Sequence, residues 1–182
     1  MNAFPSARAV GVTMLLLVVG VAGSGLAWAG AQTPNDEVAG MLDTIFAPVA
    51  PPEQVAVVYK DDLERVYLAF YMSTYADVRE VRAYKITFRN VSEFAEEQAT
   101  IDEMIAAGNH AEAFDGLIGV MRLDLGSEYV SDVGLDGVHD GAVAVGAGSM
   151  QDRFHNQVFA DHAAANAAYM EWLTRAVELA GG

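Results

Sequence analysis

The run from Val55 to Asn90 decides what this chain folds into, because its apolar residues satisfy two incompatible periodicities. Val55, Val58, Tyr59, Leu63, Val66, Tyr67, Phe70, Tyr71 and Thr74 recur at three- and four-residue steps, the spacing of one helix face. Val78, Val81, Lys85, Phe88, Val91 and Ala95 continue that spacing. The stretch "VRAYKITFRNV" also sets Tyr84, Ile86 and Phe88 on one side of a strand, with Lys85, Thr87 and Arg89 on the other. Taken as helix, with Pro51 and Pro52 in a first turn where a missing amide costs nothing, the run predicts an all-α fold. That fold is a single-domain bundle of four or five helices. The alternative is α+β, with a small antiparallel sheet at 55–90.

The flanking segments read as helix. Asn35 followed by Asp36 and Glu37 is a helix start, the amide capping orphan N–H groups and the acids complementing the dipole. The resulting short helix, "DEVAGMLDTIF", is expected to pack peripherally. Ser92 is a candidate cap for a helix carrying Phe94, Ala95, Ile101, Met104 and Ile105, which stops at Gly108, a residue free to adopt positive φ. Ala113, Leu117, Val120 and Leu123 then lie on one face of a second helix, and so short a connection folds the pair into an antiparallel hairpin. Gly108, Asn109, Ala113, Leu117, Val120, Leu123 and Asp124 resemble the middle of a tetratricopeptide repeat. The first helix lacks that repeat's Trp, Leu, Gly and Tyr positions, and Leu125 stands where its closing Pro belongs. Phe154, Val158, Ala165, Trp172, Ala176 and Leu179 mark one side of a long helix over 150–180, expected to be a main wall of the core.

Residues 1–31 read as a secretory signal peptide: Arg8 precedes an apolar stretch from Val10 to Val21, and small residues surround a cleavage point after Ala31. The competing reading is a retained anchor. Residues 32–182 then form one acidic domain with a Gly/Asp-rich loop at 126–148, periplasmic or secreted. The chain has no Cys, so an exported domain of this kind rests on packing rather than disulfides. Loss of Arg8 leaves 9 Lys+Arg against 25 Asp+Glu, and 9 − 25 = −16. Such a charge disfavours nucleic acid and anionic lipid, whose phosphates need cations.

Three groups of residues are candidate sites. In "DVGLDGVHDG" (132–141), Asp132, Asp136, Gly137 and Asp140 match positions 1, 5, 6 and 9 of an EF-hand loop. Gly134 and Val143 occupy positions 3 and 12, where carboxylates belong, so the three Asp side chains point to an irregular calcium site or a solvated connector. Asp152, His155 and His162 are the transition-metal candidates. Asp152 and His155 are spaced i, i+3, whereas His155 and His162 are about 10.5 Å apart along a helix, too far to share one zinc easily. Arg79, Arg82, Lys85 and Arg89 form the one basic cluster, a face for an acidic partner or for internal charge balance. "AVAVGAGSMQ" lacks the third Gly of a dinucleotide-binding turn.

No residue can be nominated as a nucleophile, because Cys is absent and no Ser lies in a Gly-x-Ser-x-Gly elbow. The expectation is therefore an exported, non-catalytic accessory or binding protein, acting through protein contacts on helical surfaces with another envelope or secreted protein. The alternative is a metal- or small-ligand-binding periplasmic bundle, with calcium or a transition metal as the cofactor.

Overall fold

The computed structural model describes residues 34–49, 54–88, 92–121, 126–141, 143 and 159–182. In chain order the elements are α1 (Asp36–Phe46), β1 (Gln54–Asp61), β2 (Val66–Tyr75), β3 (Val78–Thr87), α2 (Ala95–Ala106), α3 (His110–Met121), β4 (Gly126–Val133) and α4 (His162–Ala180). The four strands form one antiparallel sheet in the order β1-β2-β3-β4. The fold is therefore α+β, and the expected all-α helical bundle is overturned: the stretch assigned to helices is three consecutive strands. The expected signal peptide, Arg89, and the residues 151–158 that include Asp152 and His155 lie outside the described residues.

Burial on both faces explains why the strand pattern was ambiguous. Pairing aligns Val57, Phe70, Ala83 and Val130 across the sheet on one face, and Val58, Ala69, Tyr84 and Tyr129 on the other. The first row packs under α1 and α4, through Val38, Leu42, Ile45, Tyr169, Trp172 and Leu173. The second packs under α2 and α3, through Ile101, Ala113, Leu117 and Val120. A strand buried on both faces reads as a nearly continuous apolar run, without the alternation of a half-wet one. Its β-branched and aromatic residues then carry the strand preference. A one-residue slip would exchange the two rows, so two different helical layers hold the register.

The turns between strands carry no Gly. Between β2 and β3 the chain reverses through Ala76 (φ 47) and Asp77 (φ 67), two left-handed residues in succession, where Asn-Gly or Gly-Gly would advertise a hairpin. Between β1 and β2 the Asp61 carboxylate accepts the N–H groups of Leu63 (3.0 Å) and Glu64 (3.4 Å), and Arg65 takes φ 57. Side-chain chemistry replaces the missing glycine there.

The helices dock by specific contacts. Asn35 caps α1 as expected, accepting from Glu37 N–H at 3.0 Å, but α1 is not peripheral: Val38 and Ile45 are wholly buried. The Tyr59 hydroxyl donates to the Ile45 carbonyl at 2.6 Å, satisfying one of the acceptors that the C-terminus of α1 leaves open. On the other face, Asp102 of α2 accepts from Tyr67 Oη (2.8 Å) and Lys60 Nζ (2.6 Å), tying that helix to two strands. The α2–α3 hairpin forms as expected, with Gly108 at φ 77, and Gly116 admits close approach: a Cβ there would lie 3.3 Å from Ile101 Cγ1. Of the residues that resemble a tetratricopeptide helix, Ala113, Leu117 and Val120 pack on a sheet, and Leu123 and Asp124 lie outside the described residues.

Leu117 and Leu173 are both fully buried, on opposite faces of the sheet. Leu117→Ala and Leu173→Ala are each expected to cost about 2–5 kcal/mol in chemical denaturation. With the sheet between them, the double variant is expected to equal their sum within about 0.5 kcal/mol.

Candidate functional site

The acidic loop follows directly from β4. Asp132 is fully buried, and its carboxylate accepts N–H groups from Asp136 (3.0 Å) and Gly137 (3.1 Å), closing a turn through left-handed Gly134, Leu135 and Gly137. Gly137 is required by space as well as by φ, because a Cβ there would meet Val38 Cγ2 of α1 at 3.1 Å. Asp136 accepts from Val138 N–H at 2.9 Å and Asp140 from Val133 N–H at 2.6 Å. The three carboxylates thus serve the chain's own amides separately. Burial pushes the Asp132 carboxyl up to about 6 against the pull of those two amides. The buried Tyr169 hydroxyl lies beside it, outside ordinary hydrogen-bond geometry with any described residue but near enough to favour the charged carboxylate.

Among the described residues no cluster of three or more His, Asp or Glu is placed to hold a metal ion. His162 opens α4, exposed, with its ring centroid 5.9 Å from that of His139. His139 itself is buried and occupied by the backbone, accepting from Ser131 N–H through Nδ1 at 3.0 Å. A calcium ion would have to displace four backbone N–H donors from Asp132, Asp136 and Asp140. Millimolar calcium is therefore expected to leave Tm unchanged in a thermal melt, and a clear rise would show the loop rebuilding itself around the ion.

Strand alternation divides the basic cluster. Arg79 and Lys85 face the α1/α4 layer and Arg82 the opposite one, so the helical face expected of Arg82, Lys85 and Arg89 does not form. Arg82 grips Glu80 with both Nε (2.8 Å) and Nη2 (3.0 Å), while Arg79 Nη2 lies 2.8 Å from Met72 Sδ. Lys85 pairs with Glu64 at 2.7 Å. Burial works against its charge, but that hydrogen bond and the nearby charges of Glu64, Glu128 and Glu171 hold its pKa above the usual value.

Lys85 belongs to a cleft of about 370 Å³ between α4 and the β1–β2 end of the sheet. Val66, Leu68, Met170 and Trp172 supply apolar surface, and Asp61, Glu64, Lys85, Glu171, Arg175 and Glu178 the charged lining. Asp61, only 1% exposed, is held in a fork by Arg175 Nε (2.5 Å) and Nη2 (2.9 Å), and Arg175 Nη1 reaches Glu178 at 2.7 Å. Two cations against four carboxylates leave the lining at 2 − 4 = −2. The Thr174 hydroxyl donates to the Met170 carbonyl at 2.8 Å, so the one hydroxyl on this wall serves its own helix. The arrangement offers shape, apolar surface and negative potential. Sequence reasoning missed it because Asp61 and Arg175 are 114 positions apart and no local pattern joins them. No protein-family model, curated protein or solved structure matches the chain at a significant level.

The Arg175 guanidinium beside Asp61, with the turn amides of Leu63 and Glu64, holds that carboxyl down at about 2. A depressed carboxylate contributes stability that is complete above its unfolded pKa of about 3.9 and is lost as pH falls through its folded value. Arg175→Ala should therefore lower Tm at neutral pH and flatten the loss of stability between about pH 4 and 2, as measured by acid titration of unfolding.

Proposed function

We propose that this is an exported, non-catalytic binding protein that engages a partner protein through the cleft beside α4. The observation that carries this reading is the pairing of an apolar floor with an acid-rich rim, next to a turn on which Leu63 is 85% exposed. The occupant that fits is a segment presenting an apolar side chain flanked by Lys or Arg. The floor takes the apolar group and Glu171 meets a cation, beside Glu178, which already shares Arg175 with Asp61. Lys85 and Arg175 are already paired with Glu64 and Asp61, so they hold the rim in place. A small cationic amphiphile is the second reading, favoured by a volume within the range of about 300–1,000 Å³ usual for small-ligand pockets.

Trp172 is the single tryptophan after residue 31 and stands in the cleft wall, so its emission reports occupancy. Short peptides with a central Leu flanked by Lys are expected to change that emission saturably, and the same peptides flanked by Glu are not. Glu171→Lys with Glu178→Lys should weaken binding at least about tenfold, or roughly 1.4 kcal/mol, and added salt should weaken it too. Equal response to basic and acidic peptides would remove this reading.

A further inference from the structure

Each outer strand of the sheet turns one edge amide to a histidine. β1 and β4 are its edges, and in each the alternate amides turned away from the sheet need another acceptor. On β1, Val58 N–H donates to Nδ1 of His110, the first residue of α3, at 3.4 Å. On β4, Ser131 N–H donates to Nδ1 of His139 at 3.0 Å, where the 134–141 loop folds back along the strand. The same fold-back uses Asp140, whose N–H donates to the Ser131 carbonyl (2.8 Å) and whose Oδ2 accepts from Val133 N–H (2.6 Å). Both imidazoles are buried, at 8% and 3% exposure. An imidazole nitrogen accepts a hydrogen bond only while it carries no proton, so each ring must bear its single proton on Nε2.

We propose that His110 and His139 are acid-sensitive latches on the two edges of the sheet, holding the amides of Val58 and Ser131 only while their Nδ1 atoms are unprotonated. Protonation sets N–H against N–H at each contact and releases α3 from β1 and the fold-back from β4. The surroundings differ. Tyr59 on β1 is the titratable ring beside His110 (6.2 Å between centroids), Glu112 on its own helix is exposed, and burial lowers the basicity of His110 by more than the backbone contact with Val58 raises it. Around His139 stand Tyr129 on β4, His162 on α4 and Asp140 in the loop, with Glu80 of β3 reached through the Ser131 hydroxyl. Asp140 favours a proton on His139 and a charged His162 opposes one.

Global melting would mix opposite signs. A histidine whose basicity is lowered by folding contributes stability that is whole above about pH 6.5 and is lost as pH falls. Asp132, raised to about 6, does the reverse: its contribution is whole below the unfolded carboxylate value and declines as pH rises. Amide hydrogen exchange reads each edge separately.

On the full chain, exchange protection at Val58 and Ser131, corrected for intrinsic rate, is expected to fall severalfold, up to about tenfold, between roughly pH 7.5 and 5.5, with sheet-interior amides retained. His110→Asn and His139→Asn each place a non-titrating acceptor near the Nδ1 position, and each should remove the pH dependence at its own edge alone. Imidazole nitrogen NMR of the unaltered protein should show both Nδ1 atoms unprotonated at neutral pH. Protons on those atoms, pH-independent protection in the unaltered chain, or an unchanged pH slope in the folded Asn variants would each overturn the proposal. The first two measurements need no variant to fold.

Discussion

A sheet buried on both faces has nowhere to leave an unpaired amide, and the rest of this molecule is arranged around that constraint. Helices pressed on each side exclude water from the strands, so every main-chain donor at the margins must find a partner in the protein or reach solvent. Tyr59 reaches back to the last turn of α1. The loop after β4 lies along its edge and supplies an imidazole, a carboxylate and an amide in two consecutive residues. Without a disulfide to hold that loop, its own backbone geometry must do so. Hence the buried Asp132 under its turn, and hence Gly141, where a Cβ would lie 2.8 Å from His139 Nε2. Only a residue without a side chain leaves room for the ring there.

Legibility followed from how locally each element is determined. The cap at Asn35, the stop at Gly108, the apolar face of α3 and the buried stripe of α4 were visible because the residues that fix them lie within one or two turns of helix. The three-stranded run was not. Its periodicity is the sum of two buried rows, and the glycine-free turns at Asp62–Arg65 and Ala76–Asp77 give no break between strands. The expected helical face of Arg82 and Lys85 failed for the same reason, since strand alternation sends them to opposite layers. The EF-hand comparison did predict that carboxylates were missing at positions 3 and 12. It did not reveal that the remaining three were committed to backbone amides, because that depends on the direction in which the chain returns.

Charge has the same logic. A chain this acidic has few cations to spend, and four of the six described ones are committed to particular acids: Lys60 to Asp102, Arg82 to Glu80, Lys85 to Glu64 and Arg175 to Asp61. Exposed pairs of this kind contribute little to stability. The Asp61–Arg175 fork differs, because the carboxylate is buried and also organises the β1–β2 turn, so one guanidinium fixes both the turn and the position of α4 above it.

That double role ties the cleft to the fold. Its rim is made by the turn that Asp61 closes and its wall by the helix that Arg175 belongs to, so the opening is set by a bidentate ion pair with fixed geometry rather than by loose side chains. The acids left at the mouth are then displayed on a rigid frame, and a preorganised frame loses less conformational freedom when a partner arrives. At the other end of the same helix, Tyr169 packs beside Asp132 and Asn166 accepts from His139 N–H at 2.8 Å. One helix thus carries the wall of the cleft and braces the β4 latch.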